Sequence, residues 1–385
     1  MTAAPSDVVS LLLDLIRFDS VSSRTNRPVA DFCRDRLERI GFECEVIDYD
    51  DRHGIGKRSI VARRGRADGA MAYFGHTDVV PADDWSGPGG AFDPVIDDGR
   101  LYGRGSCDMK GSIAAMLTAA AGGDDPAYIV LTADEETGFG GARSICERST
   151  LYRELLDDNV GGIIGEPTLG QVVHGHKGGV VWTLEATGTQ GHSSFGVEDS
   201  ATLKLMAALT PLRELIARIE TEYIDDRFHP PGPTPNVMLT DATPAINVTS
   251  ALATARVFLR ATPRMDVDRL TDEAKSLASA YGLTFRSTPP SPAFFRSADS
   301  PYIAGLCERT GTTRPETVSY GTDACIFGDV PNLAVCGPGS IEQAHTRDEW
   351  ISLDELESGV DLFANLLRNP ILTASRRDAT AVVAR

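Results

Sequence analysis

Apolar positions recur at helical spacing from the start of the chain. The run 8–16 is broken by Asp14 and predicts an amphipathic helix. Residues 29–40 repeat the pattern through Phe32, Cys33, Leu37 and Ile40. They stop at Gly41, which suits the left-handed cap of a helix. Short apolar runs follow at 59–62, 71–74, 128–132 and 162–164, each bounded by glycine, proline or charge, as strands buried on both faces of a sheet are. The Ala-rich segment 109–121 lies between two of these runs as a crossover helix would. Together they predict an α/β sheet with helices on both faces.

After Lys177 the pattern changes. Strands are predicted at 180–188 and 251–260, and helices at 201–219, kinked or split at Pro211, and 266–281. This alternation describes a separate α+β domain. The Pro-rich stretch 289–292 reads as a hinge back into the first domain, which closes on a helix carried by Leu356, Val360, Phe363 and Leu366. The expected organisation is a discontinuous domain of 1–177 and 290–372, an inserted domain of 178–289, and a frayed tail of 373–385.

Composition narrows the function. A chain of 385 residues is too long for one small core and fits two domains. A net charge of -18 argues against nucleic acid and anionic membranes as partners, because both attract cations. No run is long enough to span a bilayer, and the first helix lacks a basic leader, so a cytoplasmic protein is expected. Seven cysteines without a CxxC pair fit reduced thiols. A metal would then be held by histidines and carboxylates.

Several segments carry such groups at the ends of predicted strands, where open α/β sheets bind ligands. Gly75-His76-Thr77-Asp78 offers His76 as a metal ligand, with Asp78 placed to orient its imidazole. In Gly105-Ser106-Cys107-Asp108-Met109, Asp108 is either a ligand or the cap of the helix that follows. Cys107 reads as a small buried residue. Asp134-Glu135-Glu136 is either a solvated acidic turn or a pairing of a proton-transfer group, Glu135, with a metal ligand, Glu136. Glu166 in Gly165-Glu166-Pro167 and His345 in Gln343-Ala344-His345 complete the set. Imidazole and carboxylate donors without thiolate suit a pair of zinc ions.

GHTDVVP, GRGSCDMKG, TADEE, GEPT, GTQGHSS and CGPGSIEQAH resemble, in order and spacing, the motifs of the zinc aminoacylase/carboxypeptidase family. The likeness runs from about residue 8 to about 370. It is greatest to the acetylornithine deacetylases, with the succinyl-diaminopimelate desuccinylases as near relatives; His176-Lys177-Gly178 also resembles the deacetylase branch. The resemblance implies a mixed, mostly parallel sheet in the catalytic domain and an inserted domain that acts as a lid and pairs two copies into a homodimer.

It further implies two zinc ions, replaceable by cobalt or manganese. His76 and Glu166 would hold one, Glu136 and His345 the other, and Asp108 both. Glu135 would be the general base, and the peptide bond after Asp108 would be cis. His192 of GHSS would help hold the oxyanion, in its own site or a partner's. Asn247, Arg260 and Thr322 would meet the substrate, expected to be a small N-acyl amino acid. Acetylornithine leads, followed by N-succinyl-diaminopimelate, other N-acyl amino acids and dipeptides. After GHSS the chain reads Phe195-Gly196-Val197-Glu198-Asp199-Ser200-Ala201, where those deacetylases have a Pro-containing turn and a Gly-Val-Asn-Ala run.

Overall fold

The apolar run that begins at Met71 forms a strand, Met71–His76, buried at every position. Its neighbours Ala127–Thr132 and Gly161–Ile164 are equally buried and pair with it in parallel, and Asn332–Val335 extends the parallel set. Antiparallel strands flank this centre: Gly56–Arg64 and Glu43–Asp50 on one side, Val173–His176 on the other. The sheet is thus mixed, with its parallel strands in the interior. The computed structural model describes residues 6–195, 199–243 and 245–371, so the expected tail of 373–385 lies outside the described residues.

Successive strand residues face opposite sides of a sheet, and Tyr73 and Phe74 show that both sides are covered. Tyr73 meets Phe363 of the helix Leu353–Arg368 edge-on, with ring centroids 5.3 Å apart. Phe74 packs on Phe327 at 4.7 Å. The helices Asp7–Ile16, Arg27–Arg39, Lys110–Ala121 and Leu353–Arg368 feed one apolar core. The second helix ends as expected: Gly41 has φ of 86°, and the Phe42 N–H closes back on the Leu37 carbonyl.

The chain divides into two compact units. Residues 6–175, Arg296–Glu316 and 322–371 form the first; His176–Phe295 with Thr317–Gly321 forms the second. In the second, strands Gly178–Thr187, Thr234–Asp241, Leu252–Ala261 and Thr284–Ser287 make an antiparallel sheet. The two longest alternate buried and less buried residues, because one face packs on the helices Ala201–Glu222 and Val267–Ala280. No helix among the described residues is long and apolar enough to cross a membrane.

Two expectations are corrected here. The helix Ala201–Glu222 is not split at Pro211 but runs through it. A proline inside a helix costs about 3 kcal/mol. Leu205 and Ala208 before it, and Leu212, Leu215, Ile216 and Ile219 after it, all lie buried in the core of the second unit, which holds both halves in line. The Pro-rich stretch 289–292 is not a free hinge either. Ser291 exchanges two backbone hydrogen bonds with Gly179, at 2.8 and 2.9 Å, and so ties the stretch to its own sheet.

That tie explains Gly178. A Cβ there would lie 2.2 Å from the Ser291 carbonyl oxygen and 2.6 Å from the Ala293 nitrogen, both backbone atoms that cannot swing away. Gly178→Ala should therefore destabilise the protein by about 1–3 kcal/mol, read as a lower urea midpoint with an unchanged slope.

Candidate metal centre

His76 is the last residue of the central strand and only 1% exposed. Its Nδ1 lies 2.9 Å from the main-chain carbonyl of Asp78. A carbonyl only accepts, so the neutral ring carries its proton on Nδ1 and turns the Nε2 lone pair inward. Nε2 faces Asp108 Oδ1 at 3.0 Å and Glu166 Oε1 at 3.9 Å. Asp78 does orient the ring, but through its backbone. Its carboxylate instead accepts the Ser22 hydroxyl at 2.6 Å and the Glu135 N–H at 3.2 Å.

Asp108 sits before the helix Lys110–Ala121 but does not cap it. Its second oxygen, Oδ2, lies 3.4 Å from His345 Nε2. The carboxylate therefore stands between two imidazoles, one oxygen toward each. The Asp108–Met109 peptide is cis. His345 Nε2 also lies 3.1 Å from Glu136 Oε1. Ligand atoms of His76, Asp108 and Glu166, of Asp108, Glu136 and His345, and of His76, Glu135 and Glu136 fall within 4.8 Å of one another in each group.

The acidic turn is not a solvated one. Asp134, with φ of 59°, turns away from the cluster. Its oxygens meet the buried Lys57 ammonium at 2.7 Å and the Tyr49 hydroxyl at 2.8 Å. That leaves Glu135 and Glu136 facing the imidazoles. Glu166 is brought in by the strand Gly161–Ile164 and by Gly165, where a Cβ would lie 2.3 Å from Ser112 Oγ.

Electrostatics tests the fit of a cation. Burial, with neighbouring carboxylates, pushes Glu135 and Glu166 well above the ordinary range, partly offset by His76. Asp108 is held low: burial opposes this, and hydrogen bonds from His345 and His76 outweigh it. Hydrogen bonds that His345 donates to the Asp108 and Glu136 carboxylates raise it to about 10. Fully ionised, Asp108, Glu135, Glu136 and Glu166 would bring more negative charge than two protonated imidazoles can offset, which is why the glutamates are pushed toward their neutral forms when no cation is bound. A lone pair facing carboxylate oxygens at 3 Å likewise needs a positive charge between them. Two divalent cations fit this donor set.

The other expected residues fall elsewhere. His192, Asn247 and Arg260 belong to the second unit. There His192 pairs with Val248 in an isolated bridge, and the Ser193 N–H donates to the Asn247 carbonyl at 3.0 Å, so these two segments are neighbours. Arg260 lies over the Phe258 ring. Thr322 is buried in the first unit, and its hydroxyl accepts the Ala324 N–H at 3.1 Å.

Sequence reading gave Asp323 no role beyond the Gly321-Thr322-Asp323 segment, which resembles a substrate-contact motif of the family, and passed over Glu349. Asp323 is buried, accepts the Thr132 hydroxyl at 2.6 Å, and is pushed up to about 7 by that burial. Glu349 is fully buried and accepts N–H groups from Gly105, Cys107 and Asp108, each at 2.9 Å, and from Arg104 at 2.8 Å. The only sequence signal for Glu349 was an acid beside the tryptophan that opens the strand Trp350–Ser352.

Known proteins are similar to this chain in sequence and in fold. The profile of peptidase family M20/M25/M40 matches residues 72–369. An acetylornithine deacetylase from Myxococcus xanthus is 32% identical over 363 residues, covering 90% of this chain and 92% of its own. An M20 family metallo-carboxypeptidase from Sulfolobus solfataricus has a TM-score of 0.77 at 16% identity, covering 96% of this chain and all of its own. A dinuclear metal binding peptidase of the M20 family from Bacillus subtilis gives 0.63 at 16% identity, covering 95% and 98%. Matched in sequence across most of its length, the chain belongs to peptidase family M20/M25/M40 and is a hydrolase.

Proposed function

We propose that the chain is a two-zinc amidohydrolase that releases the acyl group from a small N-acyl amino acid, with N2-acetyl-L-ornithine as substrate and L-ornithine and acetate as products. The observation that carries this reading is Asp108, whose two oxygens face His76 and His345 from opposite sides. In this proposal His76 and Glu166 hold one ion, Glu136 and His345 the other, and Asp108 bridges them. Cobalt or manganese can substitute. Bound zinc would polarise the amide carbonyl and lower the pKa of water from about 15.7 toward about 7.

The residues of the chain supply the proton movements. Glu135 takes the proton of the attacking water and returns it to the departing nitrogen. A buried carboxyl, pushed upward by desolvation, is suited to hold a proton between those two moments. At His192 the Ser194 N–H donates to Nδ1 at 3.2 Å. A backbone N–H cannot accept, so the neutral ring carries its proton on Nε2, the tautomer that an oxyanion requires. Arg260 and Asn247 offer a guanidinium and an amide to the substrate carboxylate, and Thr322 lies on the acyl side.

Identity of about 30% to acetylornithine deacetylases supports this substrate, and with it a cytoplasmic role in arginine biosynthesis. A second copy would pair at the inserted domain. There the outer strand Thr234–Asp241 has an open edge and exposes Val237, Met238 and Leu239.

Three outcomes test the reading. Glu135→Gln should keep two metal equivalents by elemental analysis while kcat falls about 10²–10⁴-fold; undiminished turnover removes Glu135 as the base. Across a panel of N-acyl amino acids and dipeptides, acetylornithine should give the highest kcat/KM, and chelation should abolish it. A higher value for N-succinyl-diaminopimelate would reassign the substrate but not the chemistry. Met238→Lys with Leu239→Glu should convert a dimer to a monomer in light scattering, whereas a monomeric parent chain would refute the pairing.

A further inference from the structure

We infer that Glu349 is a positioning residue that sets the loop carrying Asp108 before any metal arrives. This rests on the reading of Asp108 as the bridge between two divalent ions, and adds to it a residue that touches neither ion nor substrate.

The loop needs such a partner. Gly103 to Met109 has no regular secondary structure, and Gly105, at φ of 82°, takes a conformation that favours glycine. A buried turn of this kind directs amide N–H groups inward, where each must find an acceptor. Three of them find the same side chain. Oε1 of Glu349 takes the N–H groups of Cys107 and Asp108, and Oε2 takes that of Gly105 together with the Arg104 guanidinium. Every partner is a donor, so the carboxylate is used as an acceptor at both oxygens, and its charge is matched by a buried Arg104.

The same residue belongs to the segment that carries the second imidazole. Glu349 follows His345 by four positions, and its own carbonyl accepts the Gly103 N–H at 3.1 Å. The strand that starts at Trp350 pairs antiparallel with Arg100–Tyr102, just before the loop. Side chain and main chain of one residue thus join the segment of Asp108 to the segment of His345, with Asp108 and Glu349 lying 241 positions apart along the chain. Aiming both Asp108 oxygens requires that these segments keep register, and Glu349 is where they are fastened.

A carboxamide at this position has nearly the same shape but the wrong polarity. Whichever way the amide of the Glu349→Gln variant turns, its NH2 meets N–H donors and two of the four hydrogen bonds are lost. The experiment uses the full-length, metal-free protein and Co2+ as the probe. Glu349→Gln should bind the bridged pair of ions about 10–100-fold more weakly, the range for groups that orient metal ligands. It should also give an altered visible Co2+ spectrum, a signature that a change in global stability alone would not produce. Parental affinity with a parental spectrum overturns the inference.

If that variant does not fold, amide exchange in the unaltered protein decides. The Gly105, Cys107 and Asp108 amides should be as protected without metal as with it. Rapid exchange that slows only on metal loading means that the ions, not Glu349, order the loop. A parent chain that takes up no Co2+ at all would overturn the metal centre itself, an outcome distinct from either of these.

Discussion

Asp108 is itself buried and stands between two imidazoles, and each of its oxygens is committed to a different ring. A carboxylate so placed is stable only while positive charge lies on both sides of it, because burial alone would drive it toward its neutral form. Glu135, Glu136 and Glu166 raise the same demand from the rim. The demand is met by protons on the histidines or by cations. The rest of the first unit can be understood as the means of holding these groups close enough for that competition to exist.

The holding is done by strand ends and by backbone. His76 and Glu166 leave parallel strands at the same edge of the sheet, close to where the hydrogen-bonded ladder stops. The Asp78 carbonyl fixes the tautomer of His76, and the Asp78 carboxylate fixes the turn of Glu135. Lys57 and Tyr49 draw Asp134 out of the cluster, so that of three successive acids only two face the imidazoles. Each arrangement places a full or partial charge with a main-chain group or a buried counter-charge, which moves less than a solvated side chain.

Much of this was legible in the residues, and what was not has physical causes. The interior strands at Met71, Ala127 and Gly161 announced themselves because burial on both faces demands an unbroken apolar run, whereas Asn332–Val335 went unread. Glu43–Asp50 and Thr234–Asp241 were missed because most of their residues are exposed or half-buried, so no apolar pattern marks them. Pro211 predicted a break that the apolar face of its helix overrides. Among the site groups, His76, Asp108, Glu136, Glu166 and His345 were legible as a set, through their shared donor chemistry and the family resemblance, rather than one by one. Asp78 was singled out for its carboxylate, when its carbonyl does the orienting. Glu349 left little local trace, since three of its four partners are amide groups that every residue but proline possesses. Such a contact is written in the fold alone.

The first unit is interrupted in sequence, and this bears on how the protein comes into being. His76, Asp108, Glu136 and Glu166 leave the ribosome early, but His345 follows Glu166 by about 180 residues, or roughly 10–40 s at 5–20 residues per second. During that interval the nascent chain presents an acidic half-site with a single imidazole. The inserted unit, contiguous but for a five-residue segment, can complete most of its own packing meanwhile. Closure of the centre therefore waits until the chain returns to the first unit, and a product cut off before His345 would carry most of the ligands without the geometry to use them.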